Sequence, residues 1–420
     1  MKIAIWHNLP SGGGKRALYY HARGLVQRGH VVEAWCPPTA DETYLPLREF
    51  IPEHIVPFHW KPVSEQHRAA RVVAPYRNII TKLRAMDHHC RDCAEHITRG
   101  GYDVLFGNSC RFFNAASIGR HVRIPRALYL QEPYRALYEA LPELPWLALA
   151  DPPDGRRSIR YLKRFIGNLV EVQGLRVQAR EEVVNARAFQ VILVNSFFSR
   201  ESMLRAYGLE TEVCYLGIDT NLFVNQRRPR GTFVAGLGKI VPHKRVELII
   251  TAIGRVPSPR PDLVWIANAA NESHLQNLEQ LALQLGVRFR AEVGISDKEV
   301  VDILNRAAML VYAPRLEPFG LAPLEANACG LPVVAVAEGG VRETVIDGVN
   351  GLLVEDHPDA IAHAIQRLLH NPTYASQLGD TGSELVSRRW SLSASIDRLE
   401  QKLIQVAKSG RSDQSATLEA

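Results

Sequence analysis

The residues with the clearest chemical capacity lie in one short run. Pro314-Arg315-Leu316-Glu317-Pro318-Phe319-Gly320-Leu321-Ala322-Pro323-Leu324-Glu325-Ala326-Asn327-Ala328-Cys329-Gly330-Leu331-Pro332 sets two carboxylates, Glu317 and Glu325, on either side of seven residues rich in Pro, Gly and small apolar types. The run follows the strand pattern Leu310–Ala313, so it begins at the carboxyl edge of a sheet, where open α/β sheets bind ligands. Pro318 and Gly320 make a turn that leaves backbone N–H groups free at the start of a helix. Free donors aligned with the helix dipole form an anion site. Two carboxylates beside that site cannot both serve an anion, because like charges repel. Their fitting partners are hydroxyls, which a carboxylate holds through paired charge-assisted hydrogen bonds. A nucleotide sugar offers two hydroxyl-rich ends flanking a diphosphate, and that matches the layout.

Upstream, Gly238-Lys239-Ile240-Val241-Pro242-His243-Lys244 brings two cations. When a glycosidic bond to a nucleoside diphosphate breaks, negative charge grows on the leaving group. Fixed cations then stabilise the transition state more than the ground state. No Asp-x-Asp motif in a strand-end context signposts a metal. The expectation is therefore no metal and no cofactor, with Lys239, Lys244 and helix-end amides supplying the positive potential.

Two competing patterns are weaker. Gly12-x-Gly14-x-x-Ala17 after a strand, with Glu33 further on, matches a loose dinucleotide fingerprint, but a glycine pattern alone carries little weight. His89, Cys93 and His96 fall on one face of a helix and invite a zinc reading. A tetrahedral site usually draws four ligands from turns or facing segments, so an ordinary partly buried helix is the expectation there.

The elements that must position these residues alternate in type. Lys2–Trp6 reads as a strand, Ser11-Gly12-Gly13-Gly14 breaks it, Lys15–Gln27 has helical spacing, and Val31–Cys36 is the next strand. Further strands are expected at Asp103–Gly107, Ala127–Leu130, Val191–Asn195 and Val213–Leu216, with helices between most of them. The polar stretch 217–230 suits a linker. A second alternation follows, with strands at Thr232–Leu237, Leu263–Ala267, Val287–Val293, Leu310–Ala313 and Val333–Val336. Its helices are Arg245–Val256, His274–Leu285 and Asp297–Arg306. Ser391–Lys408 closes as an amphipathic helix, after which the last residues are polar and expected to fray. Such alternation means parallel sheets covered on both faces, hence an α/β fold.

With these residues in view, the carboxylate block resembles the Glu-x7-Glu signature of glycosyltransferase family 4. Gly330-Leu331-Pro332-Val333-Val334, Glu338-Gly339-Gly340-Val341-Arg342-Glu343 and Asp347-Gly348-Val349-Asn350-Gly351-Leu352-Leu353-Val354 continue the likeness. So do the Lys239–Lys244 segment, Asn195-Ser196, Tyr215-Leu216-Gly217-Ile218-Asp219 and the amino-terminal glycines. The resemblance runs nearly end to end and is most specific over 231–355. It implies a retaining, metal-independent glycosyltransferase of GT-B fold, with two Rossmann-like domains facing across a cleft. Residues 1–218 would serve the acceptor, residues 231–388 the nucleotide-sugar donor, and the helix 391–408 would pack back on the first domain.

The resemblance also implies roles. Glu325 would hold the ribose hydroxyls and Glu317 those of the transferred sugar. The amides of Phe319, Gly320 and Leu321 would lie against the donor's sugar and phosphates, and Lys239 and Lys244 would neutralise the diphosphate. Gly14 would let the first loop approach the phosphate. Two positions depart from the family pattern. Lys239 stands where many members have arginine, which gives up bidentate phosphate geometry. In Leu130-Gln131-Glu132-Pro133, Gln131 replaces a histidine; it cannot act as a general base, and its expected role is to orient the sugar by hydrogen bonds. The activity implied is transfer to a carbohydrate or lipid-linked acceptor. Alternatives on the same scaffold are a sugar phosphorylase, an epimerase, or a non-catalytic nucleotide-sugar-binding protein.

Composition frames these readings. The chain has 420 residues, 46% hydrophobic and 22% charged, values of a globular protein large enough for two α/β domains. No apolar run approaches the roughly 20 residues that span a bilayer. The strand-like start has no signal-peptide pattern and the six cysteines are irregularly spaced, so a cytoplasmic location is expected. Residues 1–218 carry 29 Lys and Arg against 21 Asp and Glu, a balance of +8, whereas residues 219–420 carry 21 against 23, or −2. The excess collects in 68–99 and 156–205. It fits solvated helix faces, a phosphate-bearing acceptor, or peripheral contact with an anionic inner membrane face. Nucleic acid is not expected, because no stacking aromatics interleave the basic residues. The apolar, proline-broken stretch 140–153 lies beside Arg156, Arg157, Arg160, Lys163 and Arg164 and suits a packed loop or a shallow membrane contact.

Overall fold

The computed structural model describes residues 1–63, 68–140, 143–150 and 158–418. The first sheet is built from β1 (Lys2–Asn8), β2 (Val31–Cys36), β3 (Glu53–Ile55), β4 (Val104–Cys110), β5 (Arg126–Tyr129), β6 (Val191–Val194) and β7 (Glu212–Val213). Its order is β3-β2-β1-β4-β5-β6-β7, with every pairing parallel. The second comprises β8 (Val234–Leu237), β9 (Leu263–Ala267), β10 (Phe289–Val293), β11 (Met309–Tyr312), β12 (Val333–Val336) and β13 (Gly351–Val354), in the order β10-β9-β8-β11-β12-β13, again all parallel. Ile3-Ala4-Ile5-Trp6 and Val333-Val334-Ala335-Val336 are buried at every residue, as strands covered on both faces must be.

In both sheets the order in which strands are added reverses between the first and fourth strands, the Rossmann arrangement. The switch points lie between β1 and β4 and between β8 and β11, and ligands of open α/β sheets bind beyond the carboxyl ends of such strand pairs. The loops that leave β8 and β11 carry Lys239 and Glu317.

The chain forms two compact units, residues 1–194, 200–213 and 399–420 in one and residues 195–199 and 214–398 in the other. Each has its own apolar core, around Trp6, Leu105 and Leu128 in the first and around Ile249, Trp265 and Ile365 in the second. The last helix, Leu392–Leu418, starts in the second unit, where Ile218 and Ser391 form a bridge. From Leu399 it belongs to the first, where Glu400 is held by Arg28 and His30, each at 2.6 Å. It continues past Lys408, where the apolar spacing ends.

Several features go beyond the sequence reading or depart from it. Strand β3 is three residues long, two of them polar. The helix Arg68–Arg99 contains Pro75, ordinarily a helix breaker. Cys214-Tyr215-Leu216 leaves the expected strand because β7 ends at Val213. Of the apolar stretch 140–153, residues 141–142 and 151–153 lie outside the described residues, as do Arg156 and Arg157. Within the described part, Trp146 donates its indole N–H to the Leu137 carbonyl at 2.9 Å.

One polar feature sits inside the first core. Glu182, on the helix Ile159–Arg187, is fully buried and accepts from the Gln178 amide and the Tyr207 hydroxyl, each at 2.8 Å. Burial disfavours the carboxylate and pushes its pKa from 4.5 up to about 7, although both donors oppose the shift. The folded chain therefore holds this proton more tightly than the unfolded one. Its contribution to stability is complete below pH 4.5 and lost as pH rises through about 7. In thermal unfolding followed across that window, the wild-type protein should lose stability relative to Glu182→Gln. Parallel curves for the two proteins would show that Glu182 does not titrate there.

Candidate active site

The site in the second unit is assembled from three segments. The first is the exit of β8. Gly238 has φ 151°, donates its N–H to the Ile266 carbonyl at 2.9 Å and accepts the Trp265 indole N–H at 2.8 Å, so this loop is tied to β9. A Cβ on Gly238 would sit 3.6 Å from the Lys244 stem, which brings the start and end of the Lys239–Lys244 segment together. A short turn, Pro242–Lys244, follows and ends on Arg245 in the left-handed region at φ 52°. Arg245 donates to the Ala313 carbonyl at 2.7 Å and pairs with Asp356 at 2.6 Å. It thereby fixes Lys244 to the end of β11, a role its sequence position did not signal.

The second segment leaves β11. Arg315 N–H donates to the His243 carbonyl at 2.8 Å, and the Leu316 N–H donates to the Glu338 carboxylate at 2.6 Å. Leu316 has φ 48°, a strained value for a branched side chain, at the residue before Glu317. Gly320, at φ 101°, starts the helix Leu321–Ala328, and no side chain caps that end. The first amides of the helix are left to a ligand or water. Phe319 is buried. Glu325, in the second turn, is only 7% exposed, a costly place for a carboxylate on an eight-residue helix.

The third segment, 338–343, braces the second. Gly340 N–H donates to the Glu317 carbonyl at 2.7 Å. A Cβ on Gly339 would come within 2.5 Å of that carbonyl, and one on Gly340 within 2.1 Å of the Pro318 carbonyl. Only glycines permit this approach. The Ser196 hydroxyl also donates to Pro318 O, at 2.5 Å. Glu343 accepts from the amides of Phe197 and Phe198 and from the Tyr215 hydroxyl, at 2.9, 3.0 and 2.9 Å.

The outcome is one direct pair: Lys244 Nζ lies 2.6 Å from Glu317 Oε2, with both side chains mostly buried. Tyr312 at the end of β11 lies beneath it, its phenol pushed well above the ordinary range by burial and then by Glu317. Glu317, Phe319, Gly320, Leu321 and Glu325 share the loop and helix after β11, while Lys239 and Lys244 share the loop after β8.

Gly14 and Gln131 belong to the first unit, and they are neighbours. A Cβ on Gly14 would be 3.6 Å from Gln131 Nε2 and 3.4 Å from Leu9, ordinary contact distances. Within the protein, Gly12 is the glycine the backbone requires, at φ 137°. Behind this loop sits a buried group that the sequence reading missed. Lys15 is fully buried, 3.9 Å from Glu53, which also lies 3.1 Å from His7 Nε2. A cation in the first turn of a helix opposes the dipole, so Lys15 depends on Glu53. Burial pushes Lys15 and His7 below their ordinary ranges. Glu53, despite the cost of burial, is held below its own by His7 and Lys15.

With Cys36, His7 and Glu53 are a set with metal-ligand chemistry, their donor atoms within 4.8 Å of one another. The neighbouring ammonium and a thiol pushed up to about 12 by burial favour an ion-pair cluster instead. His89 and Cys93 pack inside the helix Arg68–Arg99, with His89 accepting from Trp6 at 3.3 Å, whereas His96 is exposed. That face does not converge on a site.

The fold defines a class, and known proteins share it. A crystal structure of Anabaena HepE in complex with UDP superposes with a TM-score of 0.70 at 19% identity, covering 96% of this chain and 100% of that one. Sucrose-phosphate synthase from Thermosynechococcus elongatus gives 0.70 at 18%, covering 97% and 99%. At such identities the likeness establishes the GT-B fold. D-inositol 3-phosphate glycosyltransferase of Mycobacterium sp. (strain KMS) is 33% identical over 214 residues, 46% of this chain and 48% of the relative. That of Xylanimonas cellulosilytica is 29% identical over 246 residues, 53% and 58%. The chain thus spans about half the length of the curated relatives it matches. Residues 218–385 match the family described as glycosyl transferases group 1. Among the described residues, no helix is long and apolar enough to cross a membrane.

The two kinds of glycine can be separated by stability alone. Gly340→Ala must displace the Pro318 backbone and should cost about 1–3 kcal/mol in urea unfolding. Gly14→Ala fits the space and, as a helical position, should be neutral or stabilising by up to about 1 kcal/mol. Equal losses in both would show that the 338–343 loop yields freely.

Proposed function

We propose that the protein is a retaining glycosyltransferase that moves a sugar from a nucleotide-sugar donor to a carbohydrate or lipid-linked acceptor without a metal. The observation that carries this reading is the Lys244–Glu317 pair, 2.6 Å apart at the β8/β11 switch point, beside a helix whose first amides have no side-chain cap. The pair keeps both charges compensated. A sugar diphosphate brings a partner for each, phosphate oxygens for the ammonium and hydroxyls for the carboxylate.

In this reading the diphosphate lies on the amides of Phe319, Gly320 and Leu321 and draws in Lys239 and Lys244. Glu325 holds the ribose hydroxyls and Glu317 those of the sugar. The bond from the anomeric carbon to the diphosphate breaks, and the acceptor oxygen bonds to that carbon on the same face. The departing phosphate takes the acceptor's proton, so no side-chain base is required. Lys244 and the amides stabilise charge that exists fully only once the bond is broken. The name of the D-inositol 3-phosphate glycosyltransferases makes an inositol phosphate the first acceptor to try.

The division of labour between the carboxylates is testable by calorimetry with UDP and kinetics with UDP-glucose, or with whichever nucleotide sugar a thermal-shift panel selects. Glu325→Gln should weaken nucleoside diphosphate binding by about 10- to 100-fold, the worth of hydrogen bonds to a charged group. Glu317→Gln should leave that binding nearly intact, since it also frees Lys244, and lower kcat instead. Equal losses of nucleotide affinity would refute the assignment.

A chelation experiment tests the charge argument. With lysines and amides opposite the diphosphate, EDTA should leave transfer largely unchanged. Abolition by EDTA with recovery on adding Mg²⁺ or Mn²⁺ would mean that a metal carries part of that charge.

A further inference from the structure

The first three turns of the helix Ile159–Arg187 present an apolar face outward. Ile159, Leu162, Phe165, Ile166 and Leu169 are each between 43% and 73% exposed. At 3.6 residues per turn, these five fall within a sector of about 120°. The adjoining sector holds Arg160, Lys163 and Arg164, all exposed. Residues 159–169 include three cations and no acid. Tyr161 and Phe165 stack with ring centroids 6.2 Å apart. The same helix is anchored further along, where Gly174 packs on Tyr76 and Ile79 and where Gln178, Glu182 and Asn185 are buried. Its start is set firmly, with the Ser158 hydroxyl accepting the Tyr161 N–H at 3.0 Å.

Exposed leucines are common singly, but a contiguous row of five large apolar side chains on one helix face marks a contact surface. The charge beside the row selects the partner. We propose that residues 159–169 form an interfacial helix that docks the protein on an anionic lipid bilayer. The apolar row would enter the headgroup boundary by about 5–10 Å while the cations lie among lipid phosphates. A segment of this length covers about 16 Å and lies in the surface rather than crossing it. The contact is thus assigned to this helix rather than to the preceding loop. Docking does not depend on the transferase reading, and its test uses neither donor nor acceptor.

The full chain is sedimented with vesicles of phosphatidylcholine, alone or mixed equally with phosphatidylglycerol. Binding should require the anionic lipid and fall with added salt. The variant Leu162→Ser/Phe165→Ser/Ile166→Ser, altered only at exposed positions and checked for an unchanged Tm, should bind at least about tenfold more weakly, as expected for losing inserted apolar groups. Arg160→Gln/Lys163→Gln/Arg164→Gln should lose the preference for phosphatidylglycerol. No binding to mixed vesicles at low salt, or binding indifferent to the serine variant, overturns the proposal. A concentration-dependent dimer in light scattering that the serine variant abolishes also overturns it, by assigning the face to a second copy.

Discussion

Lys244 and Glu317 meet because three loops are locked to one another through their backbones, and the rest of the second unit follows from holding that contact. Arg245 ties the β8 loop to the end of β11, Glu338 grips the Leu316 amide, and Gly340 donates to Glu317. None of these bonds uses the functional ends of Lys244 or Glu317. Their positions are therefore set by groups that need not move when a ligand exchanges partners with them. A charge pair left mostly buried repays its desolvation only if its geometry is well held. The strain at Leu316 and the close approach of Gly339 and Gly340 are consistent with a loop whose shape is dictated by what it presents.

The first unit solves a related problem in reverse. Its glycine loop also precedes a helix, yet the first turn carries Lys15, which opposes the dipole and is buried. Glu53, from the short strand β3, restores balance, with His7 on the same carboxylate. Removing one member of such a buried pair commonly costs about 3–5 kcal/mol, because the partner is left uncompensated. The pair thus links the edge strand of the sheet to the start of the helix Gly13–Gln27, which contains Gly14. Electrostatics here serve shape: they hold a backbone segment in place and leave its amides unmodified.

What the sequence reveals depends on how local each cause is. Continuous apolar strands such as Val333–Val336 and the helix Asp297–Arg306, with its Ser296/Glu299 capping box, follow from neighbours in the chain. The Glu317–Glu325 block was legible for the same reason, since Pro318 and Gly320 announce a turn into a helix end. Strand β3 was not, because Glu53-His54-Ile55 is too short to show a period and exists by pairing with β2. Arg245, Glu343 and the Lys15–Glu53 contact were hidden for a stronger reason. Each acts on a group far away in sequence, and a single charged residue gives no sign of which distant partner it meets. The glycines at 339 and 340 stood out as a pattern, but their necessity lies in the carbonyls of Glu317 and Pro318.

The basic excess of the first half illustrates the same limit. Net charge over a long segment does not say where a field is felt. Much of it is spent in local pairs, such as Arg91 with Asp87 and Arg120 and Arg180 with Glu181, which at the surface contribute little beyond their own contact. A charge influences a distant partner only where no acid stands beside it, within a screening length of about 8–10 Å. Along the helix that begins at Ile159, the first acid is Glu171, beyond the exposed apolar row. Composition therefore suggested a basic domain, whereas the structure sets Arg160, Lys163 and Arg164, all exposed, at one helix end. There an apolar face and a set of cations lie side by side.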